Sequence, residues 1–227
     1  MKSKTFNIFL LLLMSVFTVA CSTGDDSTEE YPDWKNNNDT FFANKYQQAK
    51  DSITAGDSAN WRIIHTWSFS SAVRNDNTDN IIVHVLKHGI GSGCPLYTDS
   101  VRVDYRGYLL KSASYTSADD SELGYVFDQS WSGAYNLSTM LPTTLAVNGV
   151  VDGFATALQD MHIGDRWKVY IPYDLAYGST ASSSIPAYST LVFDITLDSY
   201  YHVGATLPAL QVKIGRASCR ERVSSPV

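Results

Sequence analysis

Cysteine is scarce in this chain, with three in 227 residues, at positions 21, 94 and 219. So few, so far apart, exclude the dense disulfide framework that replaces a core in small secreted domains. Cations are scarce too. Between residues 21 and 212, 11 Lys and Arg stand against 22 Asp and Glu, a formal charge of −11. A surface of that sign repels phosphate and excludes a nucleic-acid partner. Long apolar runs are missing, since the best one, residues 6–20, falls short of the roughly 20 residues a membrane-spanning helix needs. There is no nucleophile motif of the hydrolase kind. Histidines are few, and among His65, His84 and His88 only the last two have a suggestive spacing; Gly89 breaks it and no carboxylate lies nearby in sequence, so solvent-facing imidazoles are expected rather than a metal site. Nothing in the composition calls for a cofactor.

What is abundant is aromatic. Aromatic residues make up 12 % of the chain, fourteen Tyr among them, while charged residues reach only 18 %. Tyr- and Thr-rich alternating runs favour sheet, and helix signals are few, so the expected class is α+β, an antiparallel sheet with a little helix. The organising stretch is 150–197. Phe154, Ala157, Leu158 and Met161 share one helical face, with Asp152 as N-cap and Gly164 as the stop. Trp167, Val169 and Ile171 then alternate, as do Leu191, Phe193, Ile195 and Leu197, the period of strands with one buried face. The stretch reads as one short helix laid on a sheet.

The two ends stand apart. Lys2 and Lys4 precede the apolar run, and Ala20 closes it just before Cys21, which is the layout of a secretory signal peptide over residues 1–20. The small residue before Cys21 resembles the lipobox of bacterial lipoproteins, which implies lipidation of Cys21 and a membrane anchor. The acidic residues that follow form a solvated tether and resemble signals that send some lipoproteins to the outer face of the outer membrane, so an envelope location on the periplasmic or surface face is expected. At the other end, residues 214–223 resemble translated sequencing-adapter DNA, and 213–227 are set aside as an assembly artefact. With Cys21 an anchor and Cys219 spurious, Cys94 is left without a disulfide partner, a passive loop thiol.

In the front part, Phe41, Phe42, Tyr46 and Ala49 predict an amphipathic helix over 39–53, and strands are predicted over 61–69 and 81–87, followed by a Gly-rich loop. This segment is expected to dock on the domain, to act as a dimerisation arm or to space the domain from a membrane. In the next strand, 101–110, Val101, Val103, Tyr105, Gly107 and Leu109 share a face. A tyrosine in such a face needs a partner for its hydroxyl or a wet cavity. Residues 111–125 read as an inserted polar loop, and Phe127 and Asp128 lie on the returning strand.

These motifs carry a resemblance. VRVDYRGYL, VFDQS, VVDGFATALQDMHIGDRWKVYIPYDLAYG and IPAYSTLVFDITL, in that order over 81–200, resemble the FK506-binding-protein (FKBP) class of peptidyl-prolyl cis-trans isomerases. The resemblance implies an antiparallel sheet wrapped around one short helix, and a proline pocket formed by Tyr105, Phe127, Asp128, Val150, Val151, Phe154, Tyr177, Ile185 and Phe193. Tyr177 matches the tyrosine that bonds a ligand carbonyl, and Phe154 stands where the family carries the tryptophan of the pocket floor. The insertion before Phe127 is longer than in minimal members, Thr143 replaces a common Phe, and Leu141 is an uncertain counterpart of another wall residue.

The organisation expected is thus a signal peptide at 1–20, a tether with a helix and strand at 21–79, an isomerase domain at 80–201, an extension at 202–212 and the artefact at 213–227. The implied activity is isomerisation of X–Pro bonds in unfolded or exported polypeptides without cofactor or metal. The alternative is a non-catalytic chaperone or binding module of the same fold; a nutrient-binding surface lipoprotein is a more distant third. A homodimer through the N-terminal segment is the one self-association the reading allows.

Overall fold

The computed structural model describes residues 29–115 and 121–208; the expected signal peptide, Cys21 and the tail from 209 onward lie outside the described residues. Helix α1 (Trp34–Thr54) comes first, followed by strands β1 (Trp61–His65), β2 (Asn80–Lys87), β3 (Ser100–Leu110), β4 (Leu123–Gln129) and β5 (Thr143–Ala146). Helix α2 (Asp152–Asp160), β6 (Arg166–Ile171) and β7 (Leu191–Tyr201) complete the fold. The strands form one sheet in the order β1-β2-β6-β7-β3-β4, with β5 continuing the β4 edge along the other half of β3. Every pairing is antiparallel.

Strand alternation sorts the side chains into two layers. Ile81, Val83, Trp167, Val169, Ile171, Leu191, Phe193, Ile195 and Leu197 point to one face and pack against Phe154, Ala157 and Leu158 of α2 and Met161 at its C-cap. Fully burying a Phe, Leu or Met contributes about 1.5–3 kcal/mol each, so a helix too short to persist alone is held by its packing. Gly153 lets it lie this close: a Cβ there would sit 2.3 Å from Ile171 Cγ2. Asp152 is the first helical residue rather than the cap. Val151 (φ −62°, ψ 151°) holds the cap position without a side-chain bond, and the Asp152 carboxylate lies in the first turn, where the helix dipole favours it.

The opposite face carries Ile82, Tyr170 and Val192, and α1 covers it with Phe41, Phe42 and Ala49. Of the three roles open to the front segment, docking on the domain is what these contacts describe. The helix is longer than expected, starting at Trp34 instead of Asp39. Its first turn has its own long-range partners. Trp34 Nε1 donates to Ser189 Oγ at 2.9 Å, Ser189 Oγ donates to the Pro186 carbonyl at 2.6 Å, and Asn38 Oδ1 accepts from Thr190 N at 2.8 Å. β1 stops at His65, short of the predicted 69, because Thr66 Oγ1 and Trp67 N turn toward Thr156 Oγ1 on α2, at 3.2 and 3.4 Å.

Candidate active site

A cavity of about 420 Å³ opens where the start of α2 faces the middle of β3, β4 and β7. Eight of the nine residues anticipated from sequence border it: Tyr105, Phe127, Asp128, Val150, Val151, Phe154, Tyr177 and Phe193. Each element brings its share for a local reason. Tyr105 and Phe193 lie on the α2-facing side of β3 and β7, opposite Ile195 and Gly107 in the register. Val150 and Val151 follow a single 3₁₀ turn, Val147–Gly149, that leads into α2. Tyr177 comes just after another such turn, Tyr173–Leu175, whose geometry is held by Gly178 N donating to the Tyr173 carbonyl at 2.9 Å.

The aromatic rings are mutually fixed. Phe193 meets Phe154 edge-on at 4.9 Å between centroids and Phe127 at 5.4 Å, and Tyr105 meets Phe154 at 6.0 Å, all near perpendicular. Such pairs contribute about 0.5–1.5 kcal/mol beyond their buried area. Gly107 makes room for them, since a Cβ there would fall 2.6 Å from Phe127 Cζ and 2.7 Å from Phe193 Cε1. Phe154, 3 % exposed, is the floor.

The polar atoms are few and placed at the edge. The Tyr105 hydroxyl donates to Asp128 Oδ2 at 2.7 Å, and Asp128 Oδ1 accepts from Gln129 N at 2.8 Å. Burial, then the bond to the Asp128 carboxylate, pushes the Tyr105 phenol far above its ordinary range, so it stays a donor at any physiological pH. Tyr177, 42 % exposed, stands at the rim, and among the described residues its hydroxyl has no hydrogen-bond partner. The arrangement is an apolar slot with one committed phenol–carboxylate pair and one uncommitted phenol.

The ninth anticipated residue is elsewhere. Ile185 is buried, but Ser182 and Ile185 exchange backbone hydrogen bonds (2.9 and 2.8 Å) across a tight turn with Ser183 at φ 51°, and Ile185 borders a neighbouring depression instead. Three lining residues were not anticipated. Leu191 sits two before Phe193 on the same face of β7, Leu145 lies two beyond Thr143 on β5, and Gly149 precedes Val150. The alternation itself was the signal for Leu191 and Leu145. Leu141 is half exposed and does not border the cavity.

The remaining candidates lie outside this site. Cys94 Sγ rests 3.8 Å from His162 Nε2, a neighbour that sequence did not offer. Burial, with Asp160 and Asp165 nearby, pushes the thiol up, so it is a poor nucleophile. His84 stacks on Trp61 at 4.4 Å and 11°, and burial lowers its pKa. No group of three or more His, Cys, Asp or Glu among the described residues is placed to hold a metal ion.

Residues 94–198 match the family model described as FKBP-type peptidyl-prolyl cis-trans isomerase. The chain is 38 % identical over 120 residues to the macrophage infectivity potentiator of Trypanosoma cruzi, which covers 52 % of each protein. It is 36 % identical over 124 residues to the FKBP-type 22 kDa peptidyl-prolyl cis-trans isomerase of Escherichia coli, or 54 % of this chain and 51 % of that one. Over 111 residues it is 34 % identical to the outer membrane protein MIP of Legionella longbeachae, or 48 % of this chain and 40 % of that one. The chain thus spans about half the length of the first two of these relatives.

Proposed function

Residues 94–198 form a domain of the FKBP type, and on that premise we propose that this protein accelerates cis–trans isomerisation of X–Pro bonds in polypeptides that fold in the cell envelope. The observation that carries the reading is the apolar slot itself, three edge-on aromatic contacts around a cavity of about 420 Å³ with Tyr177 uncommitted at its rim.

Rotation about an X–Pro bond faces a barrier of roughly 18–20 kcal/mol because amide resonance is lost at the midpoint, and it takes tens to hundreds of seconds unaided. The planar amide is the more charge-separated form, so an apolar wall favours the twisted one. Phe127, Phe154, Phe193, Val151 and Leu191 supply that wall. The Tyr177 hydroxyl donates to a substrate carbonyl and fixes one side of the rotating bond. The Tyr105–Asp128 pair closes the polar edge and keeps the carboxylate from competing for that carbonyl's donor. No bond is made to the protein, so a nucleophile is not required.

The envelope setting is supported by the signal-like segment ahead of Cys21, which would anchor the protein through a lipid, and by the name of the Legionella relative. The substrates that follow are exported, proline-containing chains. The test is a refolding reaction limited by proline isomerisation. The wild-type protein is expected to speed the slow phase, and Tyr177→Phe combined with Asp128→Ala to lose about tenfold or more of that effect. A wild-type rate equal to buffer would sink the proposal. Suppressed aggregation without any acceleration would favour the alternative of a non-catalytic chaperone, for which Phe154 in place of the family's tryptophan is the motive.

A further inference from the structure

Beside the aromatic cavity lies a second, shallower depression of about 470 Å³, bordered by Tyr31, Tyr125, Ser183, Ser184, Ile185 and Pro186. We propose that it is a second subsite for the same polypeptide, receiving an uncharged apolar or aromatic side chain close to the isomerising proline, and that Tyr31 from the segment ahead of α1 sets this preference. The proposal rests on the isomerase reading above, since it names which chains that site would prefer.

Position supports it first. Tyr125 and Phe127 are two residues apart on β4, so their backbones lie within about 7 Å of each other, with a bulge at this point of the strand breaking the alternation of faces. Phe127 borders the aromatic cavity and Tyr125 the depression. An extended substrate advances about 3.3 Å per residue, so a chain with its proline in the cavity reaches the depression within two or three residues. The loop between Tyr177 and Leu191 walls both hollows, giving Tyr177 to the first and Ser183 to Pro186 to the second.

Chemistry supports it next. The walls are two phenol rings, an isoleucine and a proline, with serine hydroxyls at the edge and no charged residue among them. Tyr125, 47 % exposed, keeps an aromatic surface in water at this point. Glu30, next to Tyr31, lines the adjoining hollow, where its carboxylate accepts from Ser114 Oγ at 2.6 Å, which disfavours an acidic residue in the substrate.

The depression is also built, not incidental. Tyr31 stands edge-on to Trp34 at 4.8 Å. Trp34 is bonded to Ser189, and Ser189 to the Pro186 carbonyl on the far wall. Ala113 N donates to the Glu30 carbonyl at 2.9 Å, tying the same segment to the β3–β4 insertion. One rigid chain of contacts thus joins both walls and makes the segment before α1 part of the substrate-facing surface.

The experiment compares two kinds of fluorescein-labelled peptide on the full chain: a tetrapeptide centred on Leu-Pro, and a set of nonapeptides that place Tyr, Ser or Glu two or three residues from the proline on either side. Isomerisation (kcat/KM) and equilibrium binding by anisotropy are both measured. In the wild type, the Tyr-bearing nonapeptide on one side is expected to exceed its Ser and Glu versions about five- to tenfold. Tyr31→Ala and Tyr125→Ala are each expected to reduce that ratio toward one, and Tyr31→Phe to retain most of it. Unfolding midpoints of the variants separate a lost contact from a disturbed loop. A wild-type ratio of one, or a ratio that survives both substitutions, overturns the proposal. If no peptide is accelerated but the anisotropy ratio behaves as described, the isomerase reading fails and the subsite stands.

Discussion

Individual residues here are legible in proportion to how local their reasons are. Tyr105 and Phe193 announce themselves by strand alternation, Phe127 only through the family resemblance, and Tyr105 also by the oddity of a hydroxyl on an apolar face. The bond to Asp128 at 2.7 Å resolves that oddity. Asp104, its neighbour on β3, carries the opposite lesson. It faces the other side of the sheet, is 2 % exposed, and its Oδ1 has no hydrogen-bond partner. Burial first, then the Asp198 carboxylate, pushes its pKa up to about 6 from the ordinary 3.8. The folded protein therefore holds this proton more tightly than the unfolded chain does. Its contribution is most favourable below about pH 4 and is lost as pH rises through 6. Asp104→Asn removes the titration, so the variant should gain on the wild type as pH increases. We expect about 1 kcal/mol more stability at pH 7.5, well under the full shift because Asp198 is on the surface and screened. At pH 4 the advantage should disappear. Urea midpoints at the two pH values check this, and an advantage of the same size at both would contradict it.

At the scale of elements, the sequence shows which strands and helix exist but not how closely they approach. Periodicity finds β3, β6 and α2 within a residue or two, and the start of β7, which runs on four residues past Leu197 to Tyr201. It cannot find that Gly107 is the floor on which two phenylalanine rings rest, because that depends on β4 and β7 meeting over one point of β3. Nor could it foresee that Ile185 turns aside, since the Ser182–Ile185 bridge is a matter of turn geometry. Gly107→Ala tests the first point. A methyl group 2.6–2.7 Å from both rings must displace Phe127 or Phe193; overpacking of this kind costs about 1–3 kcal/mol. The variant should keep its far-UV circular dichroism while the proposed isomerase activity drops at least tenfold, because a ring moved by an ångström no longer matches the twisted amide. Undiminished activity would mean that the ring positions do not define the site.

At the scale of the whole molecule, the question is whether the front segment is an appendage or part of the fold. Sequence left this open because the decisive partners are far apart along the chain: Asn38 with Thr190, Trp34 with Ser189, and Phe42 with Ile82, Tyr170 and Val192. None of these pairs leaves a periodic trace. A lone helix with such a modest apolar face would not persist in water. It is stable here because the sheet's second face, apolar at Ile82, Tyr170 and Val192, would otherwise be wet. Each layer needs the other, so α1 and the sheet should unfold together. Urea titration followed by far-UV circular dichroism and by tryptophan fluorescence should give superimposable transitions, since Trp34 lies on α1 and Trp167 in the core under α2. Phe42, 3 % exposed, is the sharper probe. Phe42→Ala should cost about 3–5 kcal/mol and move both signals by the same amount. If the helix melted first while the Trp167 environment kept its wild-type midpoint, α1 would be a separable cover. The loop it pins at Ser189 and Thr190 would then be held by the sheet alone, and Tyr31 could not be a fixed wall of the second depression.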